Sequence, residues 1–246
     1  MRGATFHWLA TSFSIDFRCR PYILIGMLNL KTSRNGPRGE GRNPERTRER
    51  LLQAAFQEIF KSGFRGTDLD TILRTAGVTK GAMYHHFENK EALGYAVLDE
   101  IIANMGQEKW GWPLKNAVNP IDTLIAIIRS TSLKPSDVRF GCALNNLSQE
   151  MAPLDEGFRK RTAKMFRGWQ ISIANALRDG KKRGMVRADV NPEEMGSFLV
   201  ATYEGYISLA KSDQDPATLV AGEKSMIKFL ETLRTPRRRT RAARAA

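Results

Sequence analysis

The chain has 246 residues, of which 41% are hydrophobic, enough for one large or two smaller domains with a substantial core. The formal net charge of +13 suggests an anionic partner, but residues 1–42 carry +5 and residues 234–246 carry +6, which leaves only +2 between them. The basicity therefore lies in the tails, and two cysteines, Cys19 and Cys142, exclude a disulfide framework or a multi-cysteine metal site and fit a reducing, cytoplasmic setting.

In chain order, residues 1–43 read as a flexible or non-native extension. Its apolar run "RPYILIGMLNL" is far shorter than the ~20 residues that span a bilayer. It lacks a clean small-residue cleavage site, so Met27 is a candidate true start. The basic stretch "KTSRNGPRGEGRN" is either a solvated linker or an arm touching phosphates.

From Pro44 the pattern is helical. Leu51, Leu52, Ala55, Phe56, Ile59 and Phe60 form one apolar stripe, and Gly63 ends it. Thr67, with Asp70 three residues on, predicts the cap of a second helix carrying Leu69, Ile72, Leu73 and Ala76. Gly77 closes that helix, and Thr79 predicts the cap of a third, Lys80 to about Phe87. Two short helices across a tight glycine turn suggest a helix-turn-helix. A fourth helix is expected from Glu91 to about Trp110, broken by "GWPLKNAVNP"; further helices follow at 120–132, 142–151, 156–183, 192–211 and 216–233. No period-two strand pattern stands out, so the expected fold is all-α.

The stretch "TKGAMYHHFENK" carries the chemistry. His85 and His86 are adjacent and point about 100° apart on a helix, unsuited to one ion, so no metal site is expected. No nucleophile elbow, zinc-protease helix, phosphate loop or dinucleotide fingerprint occurs, so neither an enzyme nor a cofactor is expected. Nucleic acid explains the residues better. Gly81 inside a helix costs about 1 kcal/mol against alanine, which makes sense if the backbone must approach a groove. Lys80 can reach a phosphate or a guanine edge, and Tyr84 and His86 can donate to phosphates. Thr67 and Thr79 place hydroxyls at helix starts, and Lys90 adds a cation. The plainer readings are a packed Tyr84 and a solvated His85; Met83 and Phe87 are expected in the core.

The block "GFRGTDLDTILRTAGVTKGAMYHHFENKEAL" resembles the N-terminal DNA-binding domain of TetR/AcrR-family transcriptional regulators over about residues 44–93. The resemblance implies a three-helix helix-turn-helix head over 44–93 and a helical effector-binding and dimerisation domain over 94–233. It also implies a homodimer that binds a palindromic double-stranded DNA operator, a small-molecule effector and no membrane association. The arginine-rich end, 234–246, reads from its composition as a disordered tail that either adds salt-dependent DNA affinity or is merely solvated. Positions matching Thr67, Thr79, Lys80, Gly81, Tyr84, His86 and Lys90, with His85 more variable, lie at the DNA in the family. Leu73 departs from the alanine many members carry there. A helical scaffold or an enzyme without DNA binding is the alternative.

In the second domain, Trp110, Trp112, Phe140, Phe166, Trp169 and Tyr203 are candidates for an apolar effector pocket or ordinary core. "FGCALNNLSQEMAPLDEGFR" resembles a subgroup that includes electrophile-sensing regulators. Cys142 follows Gly141 near a predicted helix start, where a thiolate would be stabilised and, beside the effector pocket, would react with electrophiles or oxidants; the alternative is an inert buried thiol. "MGSFLVATYEGYISLA" and the 216–233 helix resemble the family's dimer-forming pair. Phe198, Leu199, Thr202, Tyr206, Leu219, Met226 and Leu230 are expected at that interface, or else in the chain's own core.

Overall fold

A computed structural model of the protein describes residues 43–131 and 135–236. The expected extension before Asn43, with its start at Met27, and the arginine tail beyond Pro236 lie outside the described residues. Among the described residues every regular element is a helix, apart from one isolated bridge between Val186 and Arg234.

Helix α1 (Pro44–Gly66) starts on an Asn43 cap whose side chain accepts from the Arg46 amide, with Pro44 in the first turn. Gly63 breaks it at φ 75°, a conformation that a side chain would strain. The last turn, Phe64–Gly66, resumes beyond that kink. The Thr67 hydroxyl donates back to the Gly63 carbonyl at 2.6 Å.

Helix α2 (Leu69–Ala76) is capped by Asp68, which accepts from the Thr71 amide, and not by the expected Thr67. Thr67 is only 4% exposed and its hydroxyl is already engaged, so the adjacent carboxylate takes the cap. Gly77 ends α2 in the left-handed region, where the Val78 amide reaches the Leu73 carbonyl, and Arg50 on α1 donates to the Gly77 carbonyl. Leu73, bulkier than the family's usual residue, packs into the core without disturbing this turn. Helix α3 (Lys80–His86) starts on Thr79, which accepts from the Ala82 amide.

Helix α4 runs continuously from Lys90 to Lys115, capped by Asn89, with wide π-helical turns at Val97–Ile102 and Gln107–Gly111. The break expected after Trp110 does not occur. The second wide turn directly precedes Pro113 and opens the helix where the proline ring would clash with the carbonyl four residues back.

The remaining helices are α5 (Pro120–Arg129), α6 (Pro135–Phe140), α7 (Ala143–Met151), α8 (Glu156–Lys182), α9 (Pro192–Asp213) and α10 (Pro216–Thr232). Helices α5, α9 and α10 repeat the device of α1, an Asn or Asp cap followed by proline. Helix α5 stops short of the expected residue 132, and the short α6 was not anticipated; the last four end within two residues of expectation.

The core has two main parts. One gathers α1, α2, α3 and the first half of α4 with Leu144, Leu147, Met151 and Phe158 of α7 and α8. The other gathers Trp110, Leu114 and the inner faces of α5, α8, α9 and α10. Phe166 and Trp169 on α8 pack against both. The first three helices are therefore bonded by packing to the helices that follow.

Candidate nucleic-acid interface and effector site

Seven residues are too few for a helix stable on its own. Helix α3 is held by Met83 and Phe87, which are 0% and 5% exposed; burying each contributes roughly 2 kcal/mol. These anchors turn the opposite face outward. Lys80, Gly81, Tyr84 and His85 are exposed, Tyr84 by 48%. A Cβ built on Gly81 would meet nothing within 4 Å, so no neighbour in the chain requires glycine there. The packed reading of Tyr84 is thus excluded.

His85 and His86 meet edge to face at 5.2 Å. His86 is half-buried, and desolvation, then His85 and Arg48, hold its pKa below the usual imidazole value. Lys90, at the start of α4, lies with its ammonium 4.7 Å from the centre of the Phe64 ring and is partly covered. Thr79 is exposed at the start of α3, whereas Thr67 is buried and bonded to Gly63. The expectation that Thr67 faces DNA is corrected: it closes the kink of α1.

A second constellation lies between α4, α8 and α9. The rings of Trp110 and Tyr203 meet at 5.2 Å, Trp110 and Trp169 at 6.1 Å, and Phe166 and Trp169 at 5.5 Å. Four of the six expected aromatics therefore converge; Trp112 is 53% exposed and lies apart from these ring contacts. Phe140 does not converge either; its ring packs on Phe60 of α1 at 5.4 Å, because the unanticipated α6 carries it toward the first helix.

Polar groups that the sequence reading missed complete the cluster. Lys109 places its ammonium 4.7 Å from the centre of the Tyr203 ring and donates to the Tyr203 hydroxyl and, at 3.5 Å, to Thr131. Glu204 is 7% exposed, and neither carboxylate oxygen meets a partner with hydrogen-bond geometry. The Cys142 thiol, a weak donor, lies against it. Burial pushes the Glu204 carboxyl up to about 7, although Cys142 and Lys109 pull it down. The Trp110 indole N–H is likewise buried without an acceptor. One signal was available: Glu204 follows Tyr203 and stands four residues after Val200, on the buried side of α9.

Of the two readings of Cys142, its surroundings favour the inert thiol over the thiolate. Cys142 does cap α7, and the Asn145 and Leu144 amides favour its charged form. Burial and the facing Glu204 outweigh them and raise the pKa far above the usual thiol value.

The expected dimer residues divide. Leu199, Leu219, Met226 and Leu230 are 2%, 8%, 4% and 0% exposed within the single chain, so they belong to its own core. Tyr206 packs across Gly222 and ties α9 to α10, while Thr202 is half-exposed. Phe198 and Leu209 remain 47% and 55% exposed, and between them Ala201, Gly205 and Ser208 line an open face of α9. On α10, the small residues Ala217, Ala221 and Ser225 are exposed too.

Residues 51–97 match the family model described as "Bacterial regulatory proteins, tetR family", and residues 120–226 match "Tetracyclin repressor-like, C-terminal domain". The chain is 30% identical over 161 residues to the HTH-type transcriptional repressor NemR of Escherichia coli K12, covering 65% of this chain and 81% of that one. It is 28% identical over 168 residues to the HTH-type transcriptional repressor DhaR of Mycobacterium sp. GP1, covering 68% and 84%. Among solved structures, a TetR transcriptional regulator from Chloroflexus aurantiacus superposes with a TM-score of 0.70 at 26% identity, covering 78% of this chain and 98% of that one. Reduced E. coli NemR superposes with a TM-score of 0.67 at 28% identity, covering 77% and 98%. With both halves matched and the helix-turn-helix in place, the chain belongs to the TetR family of transcriptional regulators.

Proposed function

We propose that the protein represses transcription as a homodimer bound to a palindromic DNA operator, and that a small molecule entering between α4, α8 and α9 releases it. The observation that carries the DNA half is α3 itself, anchored by Met83 and Phe87 and presenting Lys80, Gly81, Tyr84 and His85 outward. Thr79, Lys80, Tyr84, His86 and Lys90 serve phosphates, Lys80 can also read a base edge, and His85 borders the contact. This is a binding function, not an enzymatic one, and it is exercised in the cytoplasm. No described helix is long and apolar enough to cross a membrane.

The open face of α9 supports the pairing. Its small residues permit close approach, and Phe198 and Leu209 supply apolar contact area. Two copies of α3 then enter successive major grooves about 34–36 Å apart. Wild-type protein should select an inverted repeat of that spacing from a randomised duplex library. Phe198→Glu places a charge in the pairing face without touching the DNA face, so it should sediment as a monomer and lose at least tenfold in operator affinity. A Phe198→Glu protein that remains dimeric would remove α9 from the interface.

The effector reading is supported by the aromatic walls of Trp110, Phe166, Trp169 and Tyr203, with Lys109, Thr131 and Glu204 as the polar contacts. Ligand binding is non-covalent in the first instance, since burial and the facing Glu204 both disfavour a Cys142 thiolate. At pH 7 its alkylation by iodoacetamide, followed by peptide mapping, should be at least tenfold slower than that of an unfolded peptide containing it. Labelling at the peptide rate would return Cys142 to the role of an activated sensor.

A further inference from the structure

Helix α7 is bonded at both ends to parts of the molecule with different tasks. Near its start, Asn145 donates to Ser208 at 3.0 Å and Asn146 accepts from Lys211 at 2.9 Å, which fixes it to α9 a turn or two beyond Tyr203 and Glu204. Near its end, the Glu150 carboxylate accepts from the Phe64 and Arg65 amides, each at 2.8 Å. Those amides follow the Gly63 kink, and their turn leads through the buried Thr67 to the Asp68 cap of α2. A small cavity lined by Phe56, Ile59, Phe60, Ile102, Asn146 and Leu147 lies beside this contact, between α7 and α1.

We infer that Glu150 is a positioning residue for DNA binding: its carboxylate sets the angle at which α1 hands over to α2 and α3, and α7 carries displacements of α9 to that joint. The inference rests on the proposed operator binding. Two features argue against an incidental contact. Both oxygens of one carboxylate are used on two successive amides, an arrangement that defines direction as well as distance. A Cβ at Gly63 would lie 2.8 Å from a Glu150 oxygen, so the kink and the carboxylate are fitted to each other.

Glu150→Gln replaces one acceptor oxygen with a donor and cannot serve both amides. With a duplex selected by the wild type, Glu150→Gln should bind about tenfold more weakly, with its dimer state unchanged. Gly63→Ala should act on the same joint, so the double variant should bind no more weakly than the weaker single one. Wild-type affinity in Glu150→Gln, or additive losses in the double variant, would overturn the inference. If neither variant folds, amide exchange in the wild type still decides. Phe64 and Arg65 should be protected like core amides, and exchange at the rate of open loops would refute the latch. A wild type that selects no duplex would instead defeat the operator-binding reading, and this inference with it.

Discussion

Gly81→Ala is expected to stabilise the protein and weaken its hold on DNA. In the free protein a methyl group at residue 81 meets open space, so the substitution only removes the backbone freedom of glycine. For a residue in a helix that change favours folding by about 0.5–1 kcal/mol. On DNA the same methyl group stands between the outer face of α3 and the groove wall. The loss should be about tenfold or more, the order of one groove contact. Opposite signs make the test sharp, because ordinary damage to the fold lowers both quantities. Thermal unfolding and a binding isotherm on the same preparations are sufficient. A variant that is more stable and binds as well as the wild type would show that this face does not approach DNA.

Local signals account for what the sequence disclosed. Gly63, Gly77, Thr79 and the Met83–Phe87 pair act through their own backbone or one helical turn, and each stands as expected. The cap of α2 was misread because Thr67 and Asp68 are both good caps, and the choice was made by the Gly63 carbonyl, which only the folded kink brings near. Helix α4 outran its expected end because a proline reads as a stop, while a wide turn just before it relieves the clash. An apolar stripe on α9 could not say which residues face the chain's own core, since Leu199 and Phe198 differ only in the side of the helix they take. Phe140 was grouped with the wrong aromatics because α6, which redirects it, lacks a periodic pattern of its own. Lys109 and Glu204 were invisible for a related reason: charged residues in helices are usually solvated, and only long-range packing buries them.

Glu204→Gln should remove most of the pH dependence of stability near neutrality. The folded-state pKa of Glu204, about 7, lies above its ordinary 4.5 because burial penalises the charge. Its contribution is therefore fully present below about pH 4.5 and is lost as pH rises through 7. That loss amounts to about 3 kcal/mol. Glutamine keeps the shape and cannot ionise. At pH 8 and fixed protomer concentration the variant should exceed the wild type by about 2–3 kcal/mol in denaturant unfolding, and at pH 5 the gap should nearly close. An equal gap at both pH values would show that Glu204 does not titrate in this window. A buried carboxylate without a full partner weakens the fold wherever it is charged, and a neutral residue of the same size would serve the core better. Its place beside Lys109 and Cys142 then favours a role in the proposed effector site, with the missing hydrogen bonds supplied by the ligand.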